Sequence, residues 1–297
     1  MAGLKEHKED IIDLYVNKNM KVQYIANLYK CTTTSIYRIL KEEKVKMKTI
    51  SESKKKYKLN EHCFDEIDTE EKAYVLGFLY ADGCNMIKSH KIKITLALYD
   101  REILEKIRNV FETNAPIIIK EGRKISNSEY YGSPTATLRI SSVYLSNRLC
   151  ELGVLPNKTY ILKFPDFLRK DLVKHFVRGY FDGDGSITLA KRGKPKICIA
   201  SSKIFLQNIK DICDNNQWIS HIYSKKRCDD AIGIFEIQAQ DSVKNFLDWI
   251  YLNSKIYCER KYNRYYSYFY QNIPIKKYEK LDNKTLMDKY GYEDCIK

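Results

Sequence analysis

Apolar positions in the first part of the chain recur at helical spacing: Ile11, Ile12, Tyr15 and Val16, then Val22, Ile25, Ala26 and Tyr29, then Ile36, Ile39 and Leu40. This predicts three short amphipathic helices, broken at residues 17–19 and 31–34. The second break is a threonine run suited to capping the third helix. Periodicity then lapses over residues 42–67, a stretch that reads as a linker and holds the basic run Lys54–Lys56.

From Asp68 the pattern resumes, and it occurs twice. An apolar helix with Asp68 or Thr69 as its cap and Glu70 and Glu71 in its first turn is expected to run to Asp82; a second, capped by Asp166, is expected to end at Asp184. Strand-like alternation follows each. In the first copy Ile92, Ile94, Leu96 and Leu98 share one face, and Lys91, Lys93, Thr95 and Tyr99 the other. In the second, Ile197 and Ile199 lie opposite Lys194, Lys196 and Cys198. Helical segments come next, 101–111 and 203–213, and then further alternation. Thr135, Thr137 and Arg139 face away from Ala136, Leu138 and Ile140, as Glu236, Gln238 and Gln240 face away from Phe235, Ile237 and Ala239. Asp82 and Asp184 stand 102 residues apart, Ile94 and Ile197 103, and Lys158 and Lys261 103. The near-constant offset identifies an internal duplication. The fold class expected is α+β: a tandem αββαββα duplication, each sheet apolar beneath and polar or basic above, plus a small all-α N-terminal domain.

Charge narrows the partners. Fifty-two Lys and Arg against 38 Asp and Glu give a formal charge of +14 and a pI of about 9.1, which points to a polyanion. Residues 1–60 alone hold 14 basic and 7 acidic residues, so the N-terminal region is expected to bind the polyanion in its own right. The nine cysteines are scattered without a CxxC pair and read as reduced thiols. The N-terminus is charged and no apolar run approaches the ~18 residues of a membrane span, so no membrane is expected as partner. The expected location is cytoplasmic, on nucleoid or phage DNA. Met at the start and Lys at the end do not read as intein splice junctions.

Both apolar helices carry small residues four apart, Gly77 and Ala81 in the first, Gly179 and Gly183 in the second. That spacing lets two helices meet backbone to backbone about a pseudo-twofold axis. Asp82 and Asp184 would then lie together at the negative ends of their own helices, an arrangement unfavourable on both counts. Divalent cations shared by the carboxylates would remove the cost and create a centre able to cleave phosphodiesters.

At these residues, "VLGFLYADG" (75–83) and "VRGYFDGDG" (177–185), the chain resembles the LAGLIDADG homing endonucleases of the single-chain, two-motif kind. The resemblance spans about residues 68–270. It implies a DNA-binding saddle of two four-stranded sheets and Mg²⁺-dependent hydrolysis of both DNA strands, with Mn²⁺ able to substitute. Asp82 and Asp184 would be the metal-binding and catalytic acids, joined at the metal by the adjoining Gly83 and Gly185. Lys158 and Lys261 would be the catalytic basic residues beside each scissile phosphate. Tyr80 departs from the acid often found at the sixth motif position; Asp182, which keeps it, would be structural. Asp100 and Ser202 or Lys203 would line the pockets at the strand ends.

On the sheets, the DNA contacts expected are Lys91, Lys93, Thr95, Thr135, Thr137 and Arg139 in the first and Lys194, Lys196, Gln238 and Gln240 in the second. The N-terminal helices resemble a resolvase-type helix-turn-helix, with Thr34, Ser35, Tyr37, Arg38 and Lys41 presented to a major groove.

The organisation expected is a helix-turn-helix domain (1–48), a basic linker (49–67), a first LAGLIDADG repeat (68–163), a second (164–272) and a tail (273–297). The expected function is that of a site-specific double-strand DNA endonuclease, acting as a monomer on a long, partly symmetric site. The alternative is a catalytically silent DNA- or RNA-binding protein on the same fold, a splicing maturase or transcription regulator. A helix-turn-helix transcription factor with an unrelated sensor domain leaves the duplication unexplained.

Overall fold

The computed structural model describes residues 4, 6–18, 20–47, 56–122, 132–190, 193–224, 231–275 and 283–290. The chain divides into two compact units, Met1–Lys58 and Leu59–Lys297.

The first unit holds α1 (Lys8–Val16), α2 (Val22–Leu28) and α3 (Thr33–Glu42). Ile11, Ile25, Ala26, Ile36 and Leu40 are fully buried where their faces meet, which is the burial short helices need to be stable. Val16, expected on the apolar stripe, is 48% exposed because it closes α1 on the outer side. Thr32 caps α3, its side chain accepting from the Ser35 amide at 3.3 Å. Thr34, Tyr37, Arg38 and Lys41 of α3 are exposed and Ser35 is half-buried; Arg38 lies 4.0 Å from Glu42. Of the basic run, Lys54 and Lys55 lie outside the described residues, and Lys56 is exposed.

The second unit begins earlier than the end of the expected linker. Cys63 and Phe64 are buried, and the Asn60 amide donates to Phe111 O at 3.1 Å, so residues 59–67 pack onto this unit and contribute two side chains to its core. The first repeat runs α4 (Glu70–Ala81), β1 (Gly83–Met86), β2 (Lys91–Ala97), α5 (Arg101–Val110), β3 (Ile117–Lys120), β4 (Thr135–Ser141), α6 (Val143–Glu151). The second runs α7 (Val173–Asp184), β5 (Gly185–Leu189), β6 (Pro195–Ser202), α8 (Lys203–Asn215), β7 (His221–Ser224), β8 (Ile232–Ile237), α9 (Gln240–Tyr251). Helices α10 (Glu259–Gln271) and α11 (Asn283–Tyr290) follow; Asn283 donates to Gly132 O at 3.1 Å, which ties the last of them to the first repeat. The fold is α+β, with two antiparallel four-stranded sheets of matching order, β1-β2-β4-β3 and β5-β6-β8-β7.

Each sheet buries one face on its own helices. Ile92, Ile94, Leu138 and Ile140 close over Leu104, Ile107, Leu145 and Leu149, and Ile197, Ile199, Phe235 and Ile237 over Phe205, Ile209, Phe246 and Leu247. Thr69 caps α4, accepting from the Lys72 amide at 3.3 Å.

Three local expectations change. Asp166 does not cap the second long helix, which starts at Val173; residues 166–172 form turns that bury Leu168 and Leu172 instead. The strand expected to continue through Gln240 ends at Ile237, and Gln240 opens α9, where its side-chain Nε2 donates to Pro195 O at 3.0 Å. Thr137 is only 3% exposed, because its hydroxyl pairs with that of Thr95 across the strands at 3.0 Å.

Candidate active site

Helices α4 and α7 cross at Gly77 and Gly179. A Cβ on Gly77 would stand 2.0 Å from Phe176 O and 2.9 Å from Tyr180 N, and one on Gly179 would stand 1.9 Å from Tyr74 O and 2.9 Å from Phe78 N. Each glycine thus meets the residues 102 positions from those its counterpart meets, the reciprocity of a pseudo-twofold axis. Further along, Gly183 lies against Ala81 and Asp82: a Cβ there would be 3.3 Å from Asp82 Oδ2. The close approach that small residues allow therefore brings Asp82 to the backbone next to Asp184.

Asp82 closes α4 and Asp184 ends α7; both are solvent-accessible. Surrounding protein raises the Asp82 carboxyl, and the neighbouring Asp184 raises it further, to about 6, against the opposing pull of Lys261 and Lys158. Asp184 is also raised by burial, with Lys158, a hydrogen bond from Tyr180 and Lys261 acting the other way. Two like charges on two negative helix ends, each incompletely neutralised, form a donor set suited to a divalent cation.

Each acid is followed by a glycine whose carbonyl is held by its repeat's lysine. Lys158 Nζ donates to Gly83 O at 2.5 Å. Lys261 Nζ donates to Gly185 O at 2.6 Å, and also to the carbonyls of Phe181 at 2.8 Å, Asp182 at 2.6 Å and Gly183 at 3.2 Å. Lys261 is accordingly 4% exposed, an ammonium wrapped in the carbonyls that end α7, while Lys158 is half-buried with a single carbonyl partner among the described residues. Burial pulls both lysines below the ordinary range, and the nearby acids partly restore them.

Beneath the second acid lies a polar cluster that periodicity did not reveal. Asp182 is buried and accepts from Tyr74 Oη at 2.9 Å, Tyr251 Oη at 2.5 Å and the Cys258 amide at 2.7 Å. Arg178, 1% exposed, donates to Ile256 O, Ile250 O and Glu70 Oε1 at 2.8, 2.7 and 2.6 Å. An arginine inside an apolar helix was the signal available. In the first repeat Tyr80 stands where Asp182 does, its hydroxyl donating to Leu152 O at 2.5 Å. Asp100 is clasped by Arg260, Nε and Nη2 each at 2.8 Å, beside Glu102 and Cys258. Ser202 is a buried cap of α8.

On the outward sheet faces, Lys91 and Arg139 are exposed and Lys93, directly opposite Arg139, is half-buried; Thr95 pairs with Thr137, and Thr135 is half-buried. On the second sheet Lys196 is ion-paired with Glu236, which also accepts from Gln238. Lys194 precedes β6, and Gln238 lies just beyond β8. Among the described residues no helix is long and apolar enough to cross a membrane.

Residues 171–251 match the family model of the LAGLIDADG-like domain. Among solved structures the chain is similar to the I-LtrWI LAGLIDADG homing endonuclease bound to target DNA (13% identity, 65% of this chain and 87% of that one, TM-score 0.41). It is also similar to the I-SmaMI LAGLIDADG homing endonuclease bound to cleaved DNA (14% identity, 66% and 86%, TM-score 0.41), and to the N-terminal LAGLIDADG domain of DUF199/WhiA (18% identity, 66% and 89%, TM-score 0.39). No curated protein matches the sequence. The α-β-β-α-β-β-α order of the LAGLIDADG-like segment is that of the residues before it, from α4 to α6.

Proposed function

We propose that this chain is a site-specific double-strand DNA endonuclease, with Asp82 and Asp184 as its metal-binding acids. The observation that carries the reading is the meeting of the two carboxylates across the Gly77–Gly179 crossing, with the Asp82 carboxyl raised to about 6. A bound divalent cation would supply charge neutralisation and a water acidic enough to attack a phosphodiester. Asp82 and Asp184 hold that charge on the axis between the two sheets. Lys158, with one carbonyl partner, keeps two donor hydrogens for a phosphate oxygen whose charge grows during attack. Lys261 fixes the turn carrying Asp184 by binding four carbonyls. The basic outer face of the first sheet and the paired face of the second lie along duplex DNA, and the N-terminal helices extend the contacted site through α3, with Arg38 and Lys41 among its exposed residues. With both acids in one chain, a monomer suffices.

One observation favours the silent DNA- or RNA-binding alternative: Lys261 is enclosed and has no free face for a phosphate. The same experiment separates the two readings. Supercoiled plasmid carrying the DNA that flanks this gene, from a copy lacking it, is incubated with the protein and Mg²⁺. Linear product is expected, none in EDTA, and Asp82→Asn and Asp184→Asn are each expected to lower the rate at least about 100-fold while retaining binding. Specific binding without cleavage in any divalent metal would establish the silent form. Cleavage that persists in EDTA would remove the metal centre.

A further inference from the structure

The two sheets are superimposable in register but not in chemistry. Lys93, paired with Cys84 on one side and Arg139 on the other in the first sheet, corresponds to Cys198, paired with Ser186 and Glu236 in the second, so Arg139 and Glu236 hold the same place. Like charges directly opposite each other destabilise a sheet, and Lys93 and Arg139 make no ion pair among the described residues; phosphates would relieve them. Glu236 poses the reverse problem. Its register neighbours are Cys198 and His221, whereas Phe235 and Ile237 on either side of it point into the core. Its carboxylate therefore belongs to the outward face. A carboxylate there repels a phosphate backbone unless its charge is answered, by Lys196 within the chain or by a donor on the partner.

The carboxylate is held rather than loose. Lys196 and Gln238 donate to its two oxygens, and Cys198 Sγ lies 3.5 Å from one. Although burial pushes its pKa up, these bonds outweigh it, and the group stays below the ordinary range. A carboxylate offers about four acceptor sites, so at least one remains. Glu236 is 8% exposed, recessed but not sealed.

We propose that Glu236 selects a base in the half-site beneath the second sheet, accepting a hydrogen bond from the exocyclic amino group of a cytosine or adenine, with Lys196 and Gln238 as its positioning residues. The proposal rests on the reading that the outward faces of the sheets lie on duplex DNA. Arg139, at the matching place in the first sheet, is exposed and stands opposite Lys93, so the first half-site is bound there through cationic contacts and the second is read by a fixed acceptor. A glutamate accepting from cytosine N4 is a known form of major-groove readout.

The test is selection from randomised duplexes in EDTA, where none is cut. Wild-type protein is expected to enrich cytosine or adenine at one or two adjacent positions of one half-site. Glu236→Gln, which adds a donor, and Glu236→Thr, which removes the carboxylate, are both expected to flatten that preference about 5- to 100-fold and to keep the rest of the selected sequence. Lys196→Met, which removes one of the two groups holding the carboxylate, is expected to weaken all duplexes and to lower the preference in part. Should one glutamate variant fail to fold, as judged by its thermal transition, the other decides. If the preference survives in the folded variant and only overall affinity falls, Glu236 is a counter-ion of Lys196 and the proposal is overturned. If the wild-type protein binds duplexes and enriches no sequence, the proposal is overturned while DNA binding stands; if it binds no duplex, the reading of the sheets as a DNA surface fails with it.

Discussion

Helix α4 has no charged side chain between Lys72 and Asp82, whereas α7 carries Arg178 and Asp182 into the same interior, both almost fully enclosed. The backbones still cross reciprocally at Gly77 and Gly179. What the two repeats must share is confined to the axis: a small residue where the helices touch, an acid at each end, and a lysine on the following glycine's carbonyl. Away from the axis each repeat satisfies its interior in its own way. The first uses apolar packing and Tyr80; the second carries Arg178 and Asp182, whose partners include Glu70 and Tyr74 of α4 as well as groups of its own repeat. Buried ionic groups of this kind are stable only when complete.

The sharpest way to break the comparison is Arg178→Met. It strands the Ile250 and Ile256 carbonyls and the Glu70 carboxylate, and is expected to cost about 3–5 kcal/mol, against under ~1.5 kcal/mol for Leu76→Met at the matching place in α4. Urea unfolding of both variants measures the difference, and equal costs would erase the distinction between the interiors. The axis itself is tested by Gly77→Ala and Gly179→Ala. Each added methyl meets a backbone carbonyl oxygen at 2.0 or 1.9 Å, so each is expected to cost about 3 kcal/mol; a clear inequality between them would show that the crossing is not symmetric.

The smallest effect concerns pH. His175 of α7 is half-buried, and the protein around it and the nearby Arg178 push it down to about 4, against the opposing pull of Glu70, 3.7 Å from Nδ1. The folded state therefore binds fewer protons than the unfolded one between the ordinary histidine pKa near 6.5 and about 4. Stability falls as pH drops through that window. The expected loss from this group between pH 7 and 5 is about 2 kcal/mol, and His175→Gln should remove it, as read from thermal midpoints at the two pH values.

Periodicity was enough to find the duplication, the order of its strands and helices, the glycine crossing and the acids after it, because burial on one face forces apolar residues into periods that a sequence displays directly. It also identified three N-terminal helices. It misjudged Asp166, Gln240 and Thr137, since helix starts and strand ends depend on which neighbours are present to satisfy a backbone or a hydroxyl, and those neighbours are distant in the chain.

The same limit governs the charged groups. That Lys158 and Lys261 were equivalent could be read from their offset; that one ammonium binds a single carbonyl and the other four could not. Lys196 read as a free cation until β8 placed Glu236 against it. Sequence by itself determined the repeated backbone and the residues lying on its axis, because local patterning specifies elements and a tight crossing admits only small side chains. Tertiary structure alone decided which charges are free, paired or enclosed, because a charge is stabilised by whatever the fold brings within a few ångströms of it, and along the chain those partners are scores of residues away.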